Sequence, residues 1–136
     1  MITSDRQYDA AKHQLARLAE SLAAPTKANV PDIIASVGRG QTEDLVAEIQ
    51  RSIEEYEQLK NTRLEDIEIH SLEDLITTPI RYRIVARMSV DEFSRKVGVS
   101  ARQIMRYESE GYQNITSNNL KKILKGLNIQ VEGKVA

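Results

Sequence analysis

The chain has 136 residues, 40% of them apolar, and a formal net charge of −1. This length allows one domain, or a small domain with an arm, and the apolar fraction is sufficient for a hydrophobic core. The absence of cysteine excludes disulfides and zinc-finger ligand sets and favours a reducing cytoplasm. Because the chain has neither an apolar run of about 18 residues nor an N-terminal apolar stretch typical of a signal peptide, we expect no membrane span and no secretion signal.

The first half of the chain is predicted to form two long helices. Ser4 or Thr3 can cap a helix that runs to about residue 23 and ends before Pro25. A loop with one helical turn at 32–37 is expected next, because proline and two glycines punctuate it, and Thr42 then caps a helix to about residue 60. The apolar stripes are Tyr8, Ala11, Leu15, Leu18 and Leu22 in the first helix, and Leu45, Ile49, Ile53, Tyr56 and Leu59 in the second.

These two helices are predicted to pair as an antiparallel hairpin over residues 1–64. The apolar stripe of such a hairpin needs a partner, which is the rest of the chain, a second copy or another protein. We therefore interpret 1–64 as an arm for dimerisation or partner binding, and 65–136 as a separate domain. Apolar and polar residues alternate at 65–70 and 128–132, so these segments would form short strands that pair as a two-stranded ribbon, within one chain or between two.

The pattern at residues 88–108 is typical of a helix, a glycine turn and a second helix. Ser89 is a good N-cap for a helix over 90–97, and Gly98 suits the positive φ at its end. Ser100 can cap a second helix to about residue 108. The apolar residues fall on facing sides of the two helices, which predicts a tightly packed helix-turn-helix: Phe93, Val97, Val99, Ile104 and Tyr107.

The outer face of the second helix is predicted to contact double-stranded DNA. A guanidinium at Arg102 can bond guanine O6 and N7 together, and Met105 can contact a thymine methyl group. Arg106 can reach a base or a phosphate, and the backbone N–H groups of Ser89 and Val90 can bind phosphate at a helix start. The predicted contacts in this segment are Ser89, Val90, Ser100, Ala101, Arg102, Gln103, Met105 and Arg106.

A further helix is predicted after the motif, from a cap at Thr116 or Ser117 to about residue 127. Its inner face carries Leu120, Ile123, Leu124 and Leu127, and three lysines lie outside, either solvated or in contact with phosphate. Residues 109–115 form a polar loop.

Residues 72–128 resemble the Cro/cI-type (Xre-like) helix-turn-helix domains. Those domains have a helix before the motif, here predicted over 72–87 with Ile76, Ile80 and Ile84 on one face. The chain departs from the family at Val90, where glutamine is common, and at Ala101, where a longer polar residue is frequent. The resemblance implies a mostly α fold of four or five helices in this domain. It also implies phosphate contacts from the loop that follows the motif, at Tyr112, Asn114 and Ser117.

The resemblance and the charge distribution together favour a bacterial or phage-derived transcription regulator. Residues 1–71 hold 8 Lys and Arg against 13 Asp and Glu, whereas 72–136 hold 11 against 7, so the motif lies in the positive half. We expect a homodimeric repressor on a double-stranded DNA operator.

Two other functions remain open. The first is an antitoxin, resembling those of host-inhibition-type pairs, that neutralises a protein toxin through its N-terminal helices and regulates its own operon. The second is a structural adaptor. We expect no enzyme, cofactor or metal site, because no acid, base and nucleophile are matched and His13 and Asp9 alone leave a metal site incomplete.

Overall fold

The computed structural model describes residues 1–25 and 29–136, and within these the chain forms six α-helices and no β-strand. The helices are α1 (Asp5–Ala23), α2 (Asp32–Lys60), α3 (Leu72–Val85), α4 (Val90–Val97), α5 (Ala101–Ser109) and α6 (Ser117–Gly126). They divide into two compact units, 1–59 and 60–136. The predicted mostly α fold is confirmed.

Helix α1 begins where its sequence predicts. The Ser4 hydroxyl accepts a hydrogen bond from the backbone N–H of Gln7 at 3.1 Å, and the helix ends at Ala23, shortly before Pro25. Its predicted apolar stripe is half-buried along its whole length, whereas no residue of α1 is fully buried. The unit therefore covers this stripe only in part.

Helix α2 is longer than predicted, because residues 32–41 of the expected loop are helical. Residues 29–31 lie outside any helix, as expected of a loop, and residues 26–28 lie outside the described part. The helix starts after Pro31, whose carbonyl accepts from the N–H of Ala35 at 3.0 Å, and it continues through Gly38. Glycine weakens a helix by about 1 kcal/mol but does not forbid it. Thr42 does not act as an N-cap, because its hydroxyl donates to the carbonyl of Gly38, one turn earlier, at 2.9 Å.

Contacts between the two ends of the N-terminal unit confirm the antiparallel hairpin. The rings of Tyr8 and Tyr56 lie 5.3 Å apart, the Tyr56 hydroxyl donates to Asp5 at 2.6 Å, and the Tyr8 hydroxyl donates to Glu57. The start of α1 thus packs beside the end of α2. The buried apolar residues here are few, namely Ile2, Ile53 and Tyr56.

The predicted ribbon does not form, since neither 65–70 nor 128–132 is a strand. Residues Leu64–Asp66 make a single 3₁₀ turn, in which the N–H of Ile67 donates back to Leu64 at 3.3 Å. At the other segment, Asn128 takes a positive φ of 56° and the N–H of Ile129 donates to Leu124 at 2.9 Å, which closes the end of α6. These local bonds use donors that a ribbon would need, and an isolated two-stranded ribbon is itself marginal.

Helix α3 carries a proline in its interior yet remains continuous. Ser71 caps it by accepting from the N–H of Asp74 at 3.1 Å. Pro79 has no N–H to donate to the carbonyl of Leu75, one turn earlier. Beside it, the Thr78 hydroxyl donates to the carbonyl of Asp74 at 2.6 Å. The helix ends two residues earlier than predicted, because Arg87 adopts a positive φ of 55° there.

The second unit has a compact core built by α3 to α6. Ile80 and Ile84 of α3 are buried together with residues of the motif and of the segments that follow it, namely Phe93, Val97, Val99, Ile104, Tyr107, Tyr112, Ile123 and Leu127. Helices α4 and α6 approach closely at Gly126, where an added Cβ would lie 2.8 Å from Cα of Val97. This packing fixes α5 on the surface of the unit with one side free.

Candidate nucleic-acid interface

The turn between α4 and α5 has the geometry that its residue types predict. Gly98 ends α4 with a φ of 74°, in the left-handed region that glycine tolerates best. The Ser94 hydroxyl donates to the carbonyl of Val99 at 2.6 Å and so ties α4 to the residue that plugs the turn. Ser100 then accepts from the N–H of Gln103 at 3.2 Å and starts α5.

The outer side of α5 presents the predicted contact residues. Arg102, Met105 and Arg106 are exposed, with 61% of the Met105 surface accessible, while Ile104 and Tyr107 are fully buried on the other side. The Arg106 guanidinium lies 5.7 Å from the centroid of the Tyr107 ring, close enough for a cation–π contact that restrains it. The structure thus brings two guanidinium groups and one flexible apolar side chain onto one face.

The serine side chains at the starts of α4 and α5 already make hydrogen bonds within the protein. The hydroxyl of Ser89 accepts from the N–H of Glu92 at 3.1 Å, and Ser100 is occupied in the same way. Val90 and Ala101 are half-buried, so they offer backbone and a small apolar surface. The other N–H groups of a first helical turn have no partner within the helix, and such groups are the donors that phosphate binding uses.

Among the loop residues, the structure separates Tyr112 from the others. Asn114 and Ser117 are exposed, and the Asn114 amide donates to Glu110 at 3.2 Å. Tyr112 is fully buried, its hydroxyl has no hydrogen-bond partner, and burial raises the pKa of that hydroxyl. A phosphate contact by the Tyr112 side chain does not fit this burial, and we remove it from the predicted contacts. The prediction came from the resemblance to the family's loop, whereas here the Tyr112 ring packs 5.5 Å from that of Tyr107.

A buried ion pair, which the sequence analysis missed, anchors the end of α5. Nε and Nη2 of Arg83 each donate to one carboxylate oxygen of Glu108 at 2.6 Å, and both side chains are only 8% exposed. Nη1 of Arg83 also donates to the carbonyl of Met88 at 3.2 Å. The signal was present in the spacing. Arg83 follows Ile80 by three residues and Glu108 follows Ile104 by four, so opposite charges lie on two inward-facing helix sides.

A second polar cluster connects α5 with α6. The Tyr107 hydroxyl accepts from the side-chain amide of Gln103 at 2.8 Å and from that of Asn119 at 2.6 Å. Burial alone raises the pKa of this hydroxyl, but hydrogen bonds from Asn119, Gln103 and Thr116 outweigh burial and lower the pKa. Gln103 is therefore half-buried and held by a bond, at the edge of the exposed face.

A comparison with protein families decides what this arrangement is. Residues 81–133 match the family model described as helix-turn-helix, from the second half of α3 to just beyond α6. Residues 81–133 form a Cro/cI-type helix-turn-helix domain. This domain is a DNA-binding regulatory module, and the family is not an enzyme family. No curated protein and no solved structure matched the chain.

Over residues 1–25 and 29–136, no three or more His, Cys, Asp or Glu side chains lie close enough together to hold a metal ion. None of the helices in those ranges combines the length and the apolar character that crossing a bilayer requires.

Proposed function

We propose that this protein is a sequence-specific transcriptional repressor that binds double-stranded DNA as a homodimer in the cytoplasm. The observation that carries the proposal is the exposed face of α5, where Arg102, Met105 and Arg106 project from a helix whose opposite side is fully buried. A helix-turn-helix places such a helix in the major groove, with its N-terminal residues toward the base edges.

Each contact residue has a role that follows from its chemistry. Arg102 reads guanine through O6 and N7, and Met105 contacts a thymine methyl group. Arg106 reaches a base or phosphate at the far end of the face. Phosphate contacts come from the backbone at Ser89 and Val90, and from the other exposed or N-terminal positions Ser100, Ala101, Asn114 and Ser117. The lysines at 121, 122 and 125 are exposed on α6 and add positive charge near the duplex.

The dimer is proposed from the size of the interface and the state of the N-terminal unit. One helix-turn-helix contacts a single half-site, and two-fold dimers double both the contact and the specificity. The half-buried apolar stripe of α1 and the exposed side chains of Ile33, Ile34 and Val37 on α2 offer apolar surface for the contact between copies.

The experiment is a selection of bound sequences from random duplex DNA by the full chain at two salt concentrations. We expect a palindrome with half-sites about 10 bp apart. Arg102→Ala is expected to lower specific affinity by about 1–3 kcal/mol and to relax the base preference at one position. Arg51→Ala, an exposed arginine of α2, is the matched control. Equal loss by Arg102→Ala on all sequences would make Arg102 a phosphate contact, and binding without a consensus would refute sequence-specific repression.

A second candidate function is an antitoxin that neutralises a protein toxin through the N-terminal helices and represses its own operon. The apolar side chains at the start of α2 favour it, since 75% of Ile33 and 60% of Ile34 are exposed. Sedimentation equilibrium separates the two candidates. A dimer that is lost in Ile33→Asp supports self-association, whereas a monomer with the same surface open supports a different protein partner.

A further inference from the structure

The amide of Gln103 is the one predicted DNA-contacting side chain for which the structure shows a hydrogen bond to a fully buried residue. Its Nε2 donates to the Tyr107 hydroxyl at 2.8 Å, and Asn119 of α6 donates to the same oxygen at 2.6 Å. Tyr107 is fully buried and belongs to the core of the unit. The side chain on the DNA-facing edge is thus connected through a core residue to another helix.

This connection fixes which way the Gln103 amide points. A phenol oxygen has two lone pairs and one proton, and here the amide nitrogens of Gln103 and Asn119 both donate to it, while Thr116 hydrogen-bonds the same hydroxyl. The nitrogen of Gln103 therefore faces the core, and its oxygen, with the second N–H, is left for the exposed side. Asn119 restrains the phenol from the side of α6, so the arrangement does not depend on α5 alone.

The fixed orientation has a consequence for base recognition. Adenine presents an acceptor at N7 and a donor at N6 in the major groove, and a glutamine amide matches both with one N–H and its oxygen. Guanine presents two acceptors, N7 and O6, so the exposed Gln103 oxygen would face an acceptor. An amide that is free to rotate would lose this distinction in part, because it could turn its nitrogen toward O6.

We propose that Tyr107, held by Asn119, is a positioning residue that fixes the Gln103 amide and makes α5 prefer adenine over guanine at the base that Gln103 meets. The inference rests on the proposed DNA-binding function and adds a specificity determinant that never touches DNA. It predicts that the loss of a buried hydroxyl changes one position of the operator and leaves the others unchanged.

The test compares selections on random duplex DNA by the wild type, Gln103→Ala and Tyr107→Phe, followed by competition between the selected site and its adenine-to-guanine variant. In the wild type we expect a discrimination of about 5- to 150-fold, which is the range for one bidentate pair. Both variants are expected to reduce it to less than about threefold at that position. Tyr112→Phe is the matched control, because it removes a neighbouring buried hydroxyl that has no hydrogen-bond partner.

A second variant covers the case in which Tyr107→Phe does not fold. Asn119→Ala keeps the phenol and the backbone cap of α6, and we expect a discrimination between those of the wild type and Gln103→Ala. In the free protein, one side-chain N–H resonance of Gln103 is expected to shift upfield when the phenol is removed.

The outcomes separate the inference from the function on which it rests. Unchanged discrimination in folded Tyr107→Phe, or in Asn119→Ala if the former does not fold, overturns the positioning role while repression stands. An equal loss of affinity at every position overturns it as well, since this is the result of a merely structural role. A wild type that selects no sequence overturns the proposed function itself, and the inference falls with it.

Discussion

Removing the carboxylate of Glu108 is the most direct test of how α5 is held. Its two oxygens accept from Arg83 at 2.6 Å, and the pair is only 8% exposed. Each charge-assisted bond contributes about 1.5–3 kcal/mol, and removing one partner of a buried pair typically costs about 3–5 kcal/mol, because a buried charge is left uncompensated. We therefore expect Glu108→Gln, which preserves shape, to destabilise the second unit by about 3 kcal/mol or more.

The double variant Arg83→Met with Glu108→Leu separates the loss of a charge partner from the worth of the pair. Replacing both charges by apolar groups is often neutral, and the main loss is the bond from Arg83 to the Met88 carbonyl, at 3.2 Å, worth about 1 kcal/mol. We expect the double variant to be within about 2 kcal/mol of the wild type.

Native-state hydrogen exchange is the suitable assay, since the chain has two units and a single unfolding transition is not assured. The amides of Ile104 and Ile123 report opening of the second unit alone. If the costs of the single variants Arg83→Met and Glu108→Leu add up to the cost of the double variant, the reasoning is refuted, because the charges would then not be coupled across α3 and α5. A Glu108→Gln cost below about 1 kcal/mol would refute it as well.

Three further predictions concern the glycines, the tyrosines and alkaline pH. Gly126→Ala should destabilise the second unit, since the new methyl group would lie 2.8 Å from the Val97 backbone. Gly40→Ala, in open space on α2, should stabilise its helix by about 1 kcal/mol in thermal unfolding followed by circular dichroism. Equal effects of the two substitutions would exclude the close approach of Gly126 to Val97. In urea unfolding, Tyr112→Phe should be neutral or stabilising by about 1–3 kcal/mol, because the Tyr112 hydroxyl is buried without a partner. Tyr107→Phe should cost about 1–3 kcal/mol, because two amides lose their acceptor. A greater loss of stability in Tyr112→Phe than in Tyr107→Phe would contradict the hydrogen bonds described above. Burial, and after it the charge of Glu108, raises the pKa of Tyr112, so the unfolded chain loses this proton at a lower pH than the folded chain. The free energy of unfolding should therefore fall above pH 10 by up to about 1.4 kcal/mol per pH unit, and this contribution to the pH dependence should vanish in Tyr112→Phe. An identical pH dependence in both proteins would show that Tyr112 titrates normally.

The parts of the fold that the sequence predicts are those decided by local chemistry. The caps Ser4, Ser89 and Ser100 each accept the backbone bond expected of them, and Gly98 adopts the positive φ expected at a helix end. These outcomes depend on a residue and its neighbours within one turn, so a single sequence contains the information.

The errors occur where local signals compete with longer-range packing. Gly38 carries the composition of a loop, yet a helix of 29 residues runs through it, because glycine weakens a helix by only about 1 kcal/mol. The alternation at 128–132 has the pattern of a strand but follows a helix end that uses its donors. Tyr112 lies in a polar loop, and only the fold shows that its ring fills the core.

In the candidate site, too, the features that depend on one helix could be predicted from the sequence, whereas those that depend on contacts between helices could not. Periodicity alone places Arg102 and Met105 outside and Ile104 inside, as observed. Helical periodicity could have predicted the pairing of Gln103 with Tyr107, since they are four residues apart on one helix. The contribution of Asn119 was not, because it comes from another helix across a loop.

The way α5 is held explains how its exposed face is kept free for binding. Nine residues are too few for a helix that is stable by itself, since isolated helices shorter than about 12–15 residues are marginal in water. The structure supplies the missing stability from one side only, through the buried Ile104, the carboxylate of Glu108 and the phenol of Tyr107. Arg102 and Met105 contribute little to that support. Changes there are therefore expected to alter DNA binding with little effect on folding, while changes on the buried side alter folding first and binding through it.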